Sequence, residues 1–283
     1  MLNEIILKTG TQIYLKEKEV LFKENDFDNK IFYIQRGKVL LAKTLSNKKY
    51  YRMVINEKNF FGIFEAILKK FRMTNAISTT DTEIIYWDLD KFLLGISMHP
   101  EMAHLCINNL CQLLRRVNKR KEDLISSEKK IVIQSQSQVE DEELGKVLSD
   151  IAFSKDSTPI TEAFDKVGVE FKNNEIIFNE GDKSDEIYII VDGIVEIYIN
   201  DEKGKKFIAK LYKDDFLGEM SHFDGEPRSA TAKARGTVKL LKFTKENFNI
   251  IFQLHPKWTI KLLHTLSSRI YNTFELLFEK DEL

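Results

Sequence analysis

The stretch that decides the fold is Phe216-Leu217-Gly218-Glu219-Met220-Ser221-His222-Phe223-Asp224-Gly225-Glu226-Pro227-Arg228-Ser229-Ala230-Thr231. It lies between two β-rich segments, Phe207 to Tyr212 and Ala230 to Phe243. A plain strand connection needs only a short turn. This one carries a glycine, an acid, an apolar piece of short-helix length and then Pro-Arg-Ser-Ala-Thr. Gly218 permits close backbone approach to a bound group. Arg228 is always charged and fits two oxygens of an anion at once. Pro227 fixes its own φ and holds Glu226 extended, which aims Arg228. The start of the short helix offers free N–H groups that suit an anion.

Outward from this stretch the chain repeats itself. A constant offset of 156 residues separates Gly37 from Gly193, Gly62 from Gly218, Arg72 from Arg228, Trp87 from Phe243 and His99-Pro100 from His255-Pro256. The same offset relates Lys18 to Asp26 with Asn174 to Asp182. A register held without a gap marks a duplicated domain. Upstream of the stretch, Glu186 to Val191 and Ile194 to Ile199 flank Asp192-Gly193, a pattern that predicts a hairpin. Many short strands with turn punctuation predict a jelly-roll-like β-roll. Met102, Leu105, Cys106, Leu110 and Leu113, and in the second copy Leu262, Leu263, Leu266, Ile270, Phe274 and Leu277, fall at helical spacing. The fold class is therefore α+β: two tandem β-rolls, each flanked by helices. The expected boundaries are 1–128 for the first domain, 129–156 for a linker with a helix over Glu142 to Phe153, and 157–283 for the second domain.

The stretch resembles the phosphate-binding cassette of cyclic-nucleotide-binding domains, whose pattern is Phe-Gly-Glu, a short helix, then Pro-Arg-Ala/Ser/Thr-Ala-Thr. Such domains occur in the regulatory subunits of cyclic-AMP-dependent protein kinase and in the catabolite activator family. The nine-residue step from Glu219 to Arg228 and the turn Asn179-Glu180-Gly181-Asp182 also match. The resemblance implies a ligand set of Gly218, Glu219, Met220, Arg228, Ser229 and Ala230, with cyclic AMP or cyclic GMP as ligand and no cofactor. Arg228 would meet the phosphate, and Glu219 would accept a hydrogen bond from the ribose 2′-hydroxyl. Ser229 would add a hydroxyl. Met220 is counted in this set, although its side chain, like that of Phe223, reads as core. Tyr271 and Phe274 are candidates for a lid over the base, against the alternative that they are ordinary helix core.

The first copy departs from the pattern. It keeps Gly62 and Arg72, but Ile63 stands in place of Glu219, Phe71 in place of Pro227 and Met73 in place of Ser229. An apolar side chain facing a ribose hydroxyl leaves that hydroxyl without a partner. The degenerate site Gly62, Ile63, Arg72 and Met73 is therefore expected to bind nucleotide weakly or not at all, with Glu65 as a secondary candidate for the hydroxyl.

The rest of the sequence narrows the class. A formal net charge of -1 over 283 residues argues against a general nucleic-acid binder. The five histidines form no metal-ligand pair, which disfavours jelly-roll metalloenzymes, and no nucleotide-hydrolase or dinucleotide motif occurs. Cys106 and Cys111 read as reduced core thiols. The basic run Arg115 to Lys121 reads as a solvated helix end rather than a kinase-inhibitor segment. The terminal Lys280-Asp281-Glu282-Leu283 reads as a charged helix end rather than a retention address. Expected together are a non-catalytic receptor in the cytoplasm, no membrane or nucleic-acid partner, and a protein effector of unknown identity. The alternatives are an interaction scaffold and a regulatory subunit of a separate kinase.

Overall fold

The computed structural model describes residues 2–45, 48, 50–125, 167–201, 204–244, 248 and 256–279. The expected linker and its helix, and the last four residues, lie outside them. The chain forms two units: residues 1–128 with 258–283, and residues 129–257. This division departs from the expected boundary, because the last helix groups with the first copy and not with the roll that precedes it.

The first unit opens with α1 (Leu2–Thr9), followed by β1 (Thr11–Leu15), β2 (Val20–Phe22), β3 (Lys30–Arg36), β4 (Lys38–Thr44), β5 (Tyr50–Asn56) and β6 (Phe60–Phe61). Next come α2 (Ile63–Ile67), β7 (Asn75–Ser78), β8 (Thr82–Asp88), α3 (Leu89–Met98) and α4 (Pro100–Ile125). Two antiparallel sheets, in the orders β1-β8-β3-β6 and β2-β7-β4-β5, face one another. Their inner faces meet through Phe22, Phe32, Ile34, Val39, Leu41, Phe61, Ala76 and Ile84. The strands alternate because one face is apolar and the other wet, which is the period-2 pattern of a sandwich. Met102, Cys106, Ile107, Leu110 and Cys111 line the buried stripe of α4. Both cysteines are free and buried. The basic run from Arg115 lies within α4, short of its end at Ile125.

The second unit repeats the plan with β9 (Gly168–Phe171), β10 (Ile176–Phe178), β11 (Ile187–Asp201), β12 (Gly204–Leu211), β13 (Phe216–Leu217), α5 (Glu219–Asp224) and β14 (Thr231–Phe243). Here β11 and β14 run unbroken where the first copy divides each into two strands. The core is Tyr188, Ile190, Val195, Leu211, Leu217, Ala232, Ala234, Val238 and Leu240. The last described helix, α6 (Pro256–Glu279), carries Leu262, Leu263, Leu266 and Ile270 fully buried.

The expected hairpin at Asp192-Gly193 is not formed. β11 stays paired with β14 on both sides of it, with Ile190 opposite Leu240 and Ile194 opposite Arg235, and the register shifts in between. A two-residue hairpin of the Asp-Gly type needs positive φ at both residues. Only Gly193 has it, at 92°. The glycine therefore bends one strand across the roll. A Cβ there would lie 2.5 Å from the Thr237 carbonyl oxygen, so no other residue fits. The duplication reaches the backbone of ordinary residues too: Lys18 and Asn174 sit at φ 71° and 70°, and Lys58 and Asp214 at 64° and 68°.

Candidate functional site

The second cassette is built at the junction of β13, α5 and β14. Gly218 caps α5 in the left-handed region at φ 81°, and Gly225 ends the helix at φ 73°. His222 fastens α5 to the roll: its Nδ1 lies 2.6 Å from the Asp185 carbonyl, and its ring packs edge-on against Phe223 and Phe248. Two backbone bonds then fix Arg228 in the turn. Its N–H donates to the Asp182 carbonyl at 3.0 Å, and its carbonyl accepts from Gly181 N–H at 2.9 Å.

The Arg228 guanidinium is only 2% exposed. Nε donates to Ser184 Oγ at 2.8 Å, Nη1 to the Gly218 carbonyl at 2.9 Å and Nη2 to the Glu186 carbonyl at 2.7 Å. The Phe178 ring lies 4.3 Å from its central carbon. Its acceptors are thus neutral. A carboxylate oxygen, Glu186 Oε2, lies 3.5 Å from Nη2, and the other oxygen of that carboxylate holds Lys242 Nζ at 2.9 Å. The Lys242 hydrogen bond is the main reason the Glu186 carboxyl stays below its usual range, against the opposing effect of burial. Burial pulls the Arg228 value down, while Tyr188, Glu186 and Glu219 oppose that pull. An arginine remains charged under these conditions. Glu219 is 3% exposed and Met220 7%. Ser229 is exposed, with its hydroxyl 3.6 Å from the Met220 sulfur, and Ala230 is half-buried. The structure thus brings Gly218, Glu219, Met220, Arg228, Ser229 and Ala230 into one turn of chain.

The first cassette has the same frame. Gly62 caps α2 at φ 69°, Arg72 N–H donates to the Asp26 carbonyl and Nη1 donates to the Gly62 carbonyl at 2.8 Å. The surroundings of the charge differ. Nε and Nη2 of Arg72 both donate to the Asp28 carboxylate, and Nη2 also donates to the Lys30 carbonyl. Glu65 Oε2 lies 3.6 Å from Nη1. Phe22 and Phe32 flank the guanidinium at 4.6 and 5.4 Å. Burial raises the Asp28 carboxyl, but the bond and charge of Arg72 outweigh it and leave the group below its usual value. Glu65 is fully enclosed and is shifted the other way, upward, by burial. Glu65 therefore faces Arg72 from inside the cassette. Ile63 is buried and Met73 half-buried. A cavity beside this cassette is walled by Met53, Asn59, Gly62, Ile63, Phe64 and Asn109, and Arg72 is not in its wall.

Sequence reasoning missed Asp28, Ser184, Glu186 and Phe178 as partners of the two arginines. The available signal was the offset itself, which pairs Asp28 with Ser184 and so marks a charge present in one copy only. Tyr271 and Phe274, the expected base lid, belong to the first unit. There the Phe274 ring stacks on Phe64 at 5.7 Å and meets Tyr51 edge-on at 5.6 Å. Tyr271 has Lys70 Nζ 5.8 Å from its ring centre. Burial, with Glu275 and Glu65 adding to it, pushes the Tyr271 hydroxyl up to about 12.

Both copies thus combine a β-roll with a glycine-capped helix and a buried arginine. The family model of the cyclic nucleotide-binding domain matches residues 12–96 and 168–255, and the chain belongs to that family. The cAMP-activated global transcriptional regulator CRP of Salmonella typhimurium is 29% identical over 108 residues, 38% of this chain and 51% of that protein. The chain thus matches about half the length of that relative. Lysophospholipase NTE1 of Chaetomium globosum is 34% identical over 98 residues, 34% of this chain but only 6% of the enzyme. Among solved structures, cAMP-bound PfPKA-R (141–441) aligns with 97% of this chain and 83% of its own, at 20% identity and a TM-score of 0.36. The regulatory domain of Toxoplasma gondii PKA with cAMP aligns with 94% and 88%, at 16% identity and a TM-score of 0.32. Among the described residues, no group of three or more His, Cys, Asp or Glu side chains is placed to hold a metal, and no helix is long and apolar enough to cross a membrane.

Proposed function

We propose that the chain is a non-catalytic cyclic-nucleotide receptor whose ligand binds the second cassette, with cyclic AMP preferred over cyclic GMP. The observation that carries this reading is the Arg228 guanidinium, a buried cation held by a hydroxyl and two main-chain carbonyls. A nucleotide phosphate can draw on that charge, because the Glu186 carboxylate beside it is shared with Lys242. Glu219, buried at the start of α5, is the acceptor for the ribose 2′-hydroxyl. Ser229 meets a phosphate oxygen or the base edge. The preference for cyclic AMP rests on the name of the CRP relative.

Binding acts by population shift: the nucleotide favours one arrangement of the helices that follow the roll, and a protein effector reads the change. Moving such an equilibrium from 1:99 to 99:1 takes about a 10⁴-fold difference in affinity between the states. The first copy takes no nucleotide, since the Asp28 carboxylate already pairs with Arg72. Calorimetry with cyclic AMP, cyclic GMP and 2′-deoxy cyclic AMP on the whole chain tests the assignment. Glu219→Ala should weaken cyclic AMP by roughly 10- to 100-fold, the worth of a hydrogen bond to a charged group, and leave the deoxy ligand unchanged. Equal losses for the two ligands would remove Glu219 from the ribose.

A further inference from the structure

The ligand-facing positions of the first copy are not simply decayed; they have acquired a consistent apolar chemistry. Ile63 replaces the acid, Met73 replaces the hydroxyl and Phe64 stands where the second copy has Met220. Arg72 is 1% exposed, with Nε and Nη2 held by the Asp28 carboxylate, so the cassette offers little free positive charge to an anion. Its wall is instead aromatic, and that wall is covered. Tyr51 is 2% and Phe64 6% exposed, each beneath rings from α6. Phe274 stacks on Phe64, Phe278 meets Tyr51 edge-on at 5.3 Å, and the two α6 rings stack on each other at 5.4 Å. Phe274 and Phe278 are four residues apart, so one turn of helix presents both to one groove. The rim is basic: Lys43 Nζ lies 4.6 Å from the centre of the Phe278 ring and also holds Glu24 at 2.9 Å, and Lys70 sits by Tyr271.

The second copy builds the corresponding wall differently. A bulge between Ile197 and Tyr198 shifts the register of β12, so Phe207, at the offset of Tyr51, pairs with Tyr198 and is 41% exposed. Among the described residues, an aromatic groove facing a helix is therefore seen in the first copy and not in the second.

We propose that the first cassette is a helix-docking site, and that its resident ligand is the Tyr271–Phe278 face of the chain's own last helix in place of a nucleotide. The site recognises an amphipathic helix with aromatic residues at i and i+4. The groove binds that helix reversibly, so the aromatic face can be withdrawn and offered again. This goes beyond the nucleotide reading and does not depend on it.

The experiment uses the whole chain and a fluorescent peptide spanning residues 256–279. In the wild type the groove is occupied, and the peptide should not bind. In Phe274→Asp/Phe278→Asp the resident helix should leave: amides of residues 262–278 should exchange at least tenfold faster, and the peptide should bind saturably. Adding Tyr51→Ala to that variant should weaken the peptide at least tenfold, while strand amides of β3 and β8 keep their protection and so report an intact roll. Should the double-aspartate chain fail to fold, Lys43→Glu at the half-buried rim takes its place, with faster helix exchange expected there too. Unchanged helix exchange in these variants, or no peptide binding to a released and folded chain, would overturn the proposal. So would cyclic AMP slowing helix exchange in Arg228→Ala, since the helix would then be a lid on a working first nucleotide site.

Discussion

Arg72 and Arg228 occupy the same point of the same backbone, and they differ in what surrounds them. Each sits after a glycine-capped helix, donates its N–H to the last residue of the turn that ends at Asp26 or Asp182, and donates Nη1 to the capping glycine's carbonyl. Around Arg72 the remaining donors meet Asp28, with Glu65 close by. Around Arg228 they meet Ser184 and a main-chain carbonyl. A buried cation hydrogen-bonded to neutral groups, with its nearby Glu186 carboxylate shared with Lys242, is stabilised further by an incoming anion. One already gripped at two nitrogens by a carboxylate, as Arg72 is by Asp28, gains little, and an anion entering there would face that carboxylate's repulsion. A fold can thus keep the geometry of a binding site while a single acid, placed 44 residues upstream in the sequence, changes what that site accepts.

The comparison can be broken most sharply at Gly218. A Cβ there would lie 2.3 Å from Arg228 Nη1 and 2.8 Å from the Glu186 carbonyl oxygen, at a φ of 81°. Gly218→Val should displace the guanidinium and cost about 100-fold or more in nucleotide affinity, read by calorimetry, which corresponds to losing about two charge-assisted bonds. A smaller effect is expected from Ser184→Asp, which copies the first cassette into the second. It should weaken cyclic AMP by about tenfold, since the new carboxylate competes with the phosphate for Arg228. Unchanged affinity in that variant would show that Asp28 is not what silences the first copy.

The smallest effect concerns pH. Burial holds Glu65 above its ordinary value of 4.5, so above that pH the folded chain binds more protons at this group than the unfolded chain does. Its contribution to stability therefore falls as pH rises from 4.5 through the folded value. Asp28 acts with the opposite sign: its value is held below 3.8, so its contribution is present above 3.8 and is lost as pH falls through the folded value. Thermal melts across this range should show a decline toward higher pH that Glu65→Gln flattens. A decline of the same slope in the variant would assign it to another group.

Much of this was legible in the chain. The offset of 156 residues identified the duplication, and the Pro-Arg-Ser-Ala-Thr run identified the cassette, because both depend on local residue order. Helical spacing marked the buried stripe of α6, from Leu262 to Leu277. Spacing tells which face of a helix is apolar and not what covers it, so Phe274 and its neighbours were assigned to the nearer roll and not to the first unit. Asp192-Gly193 misled for a related reason. The dipeptide has the chemistry of a tight turn, but with only one residue at positive φ the chain bent and stayed in its ladder. Asp28 and Ser184 went unnoticed as partners because they reach the arginines across the roll, from the loop before the central strand.

The central claim is that one of the two copies binds nucleotide, and calorimetry of cyclic AMP on the whole chain and on Arg228→Ala tests it most directly. The expected result is one molecule of ligand per chain, with no measurable binding in the variant. Two molecules per chain, or binding that survives Arg228→Ala in a protein with an unchanged melt, would contradict it.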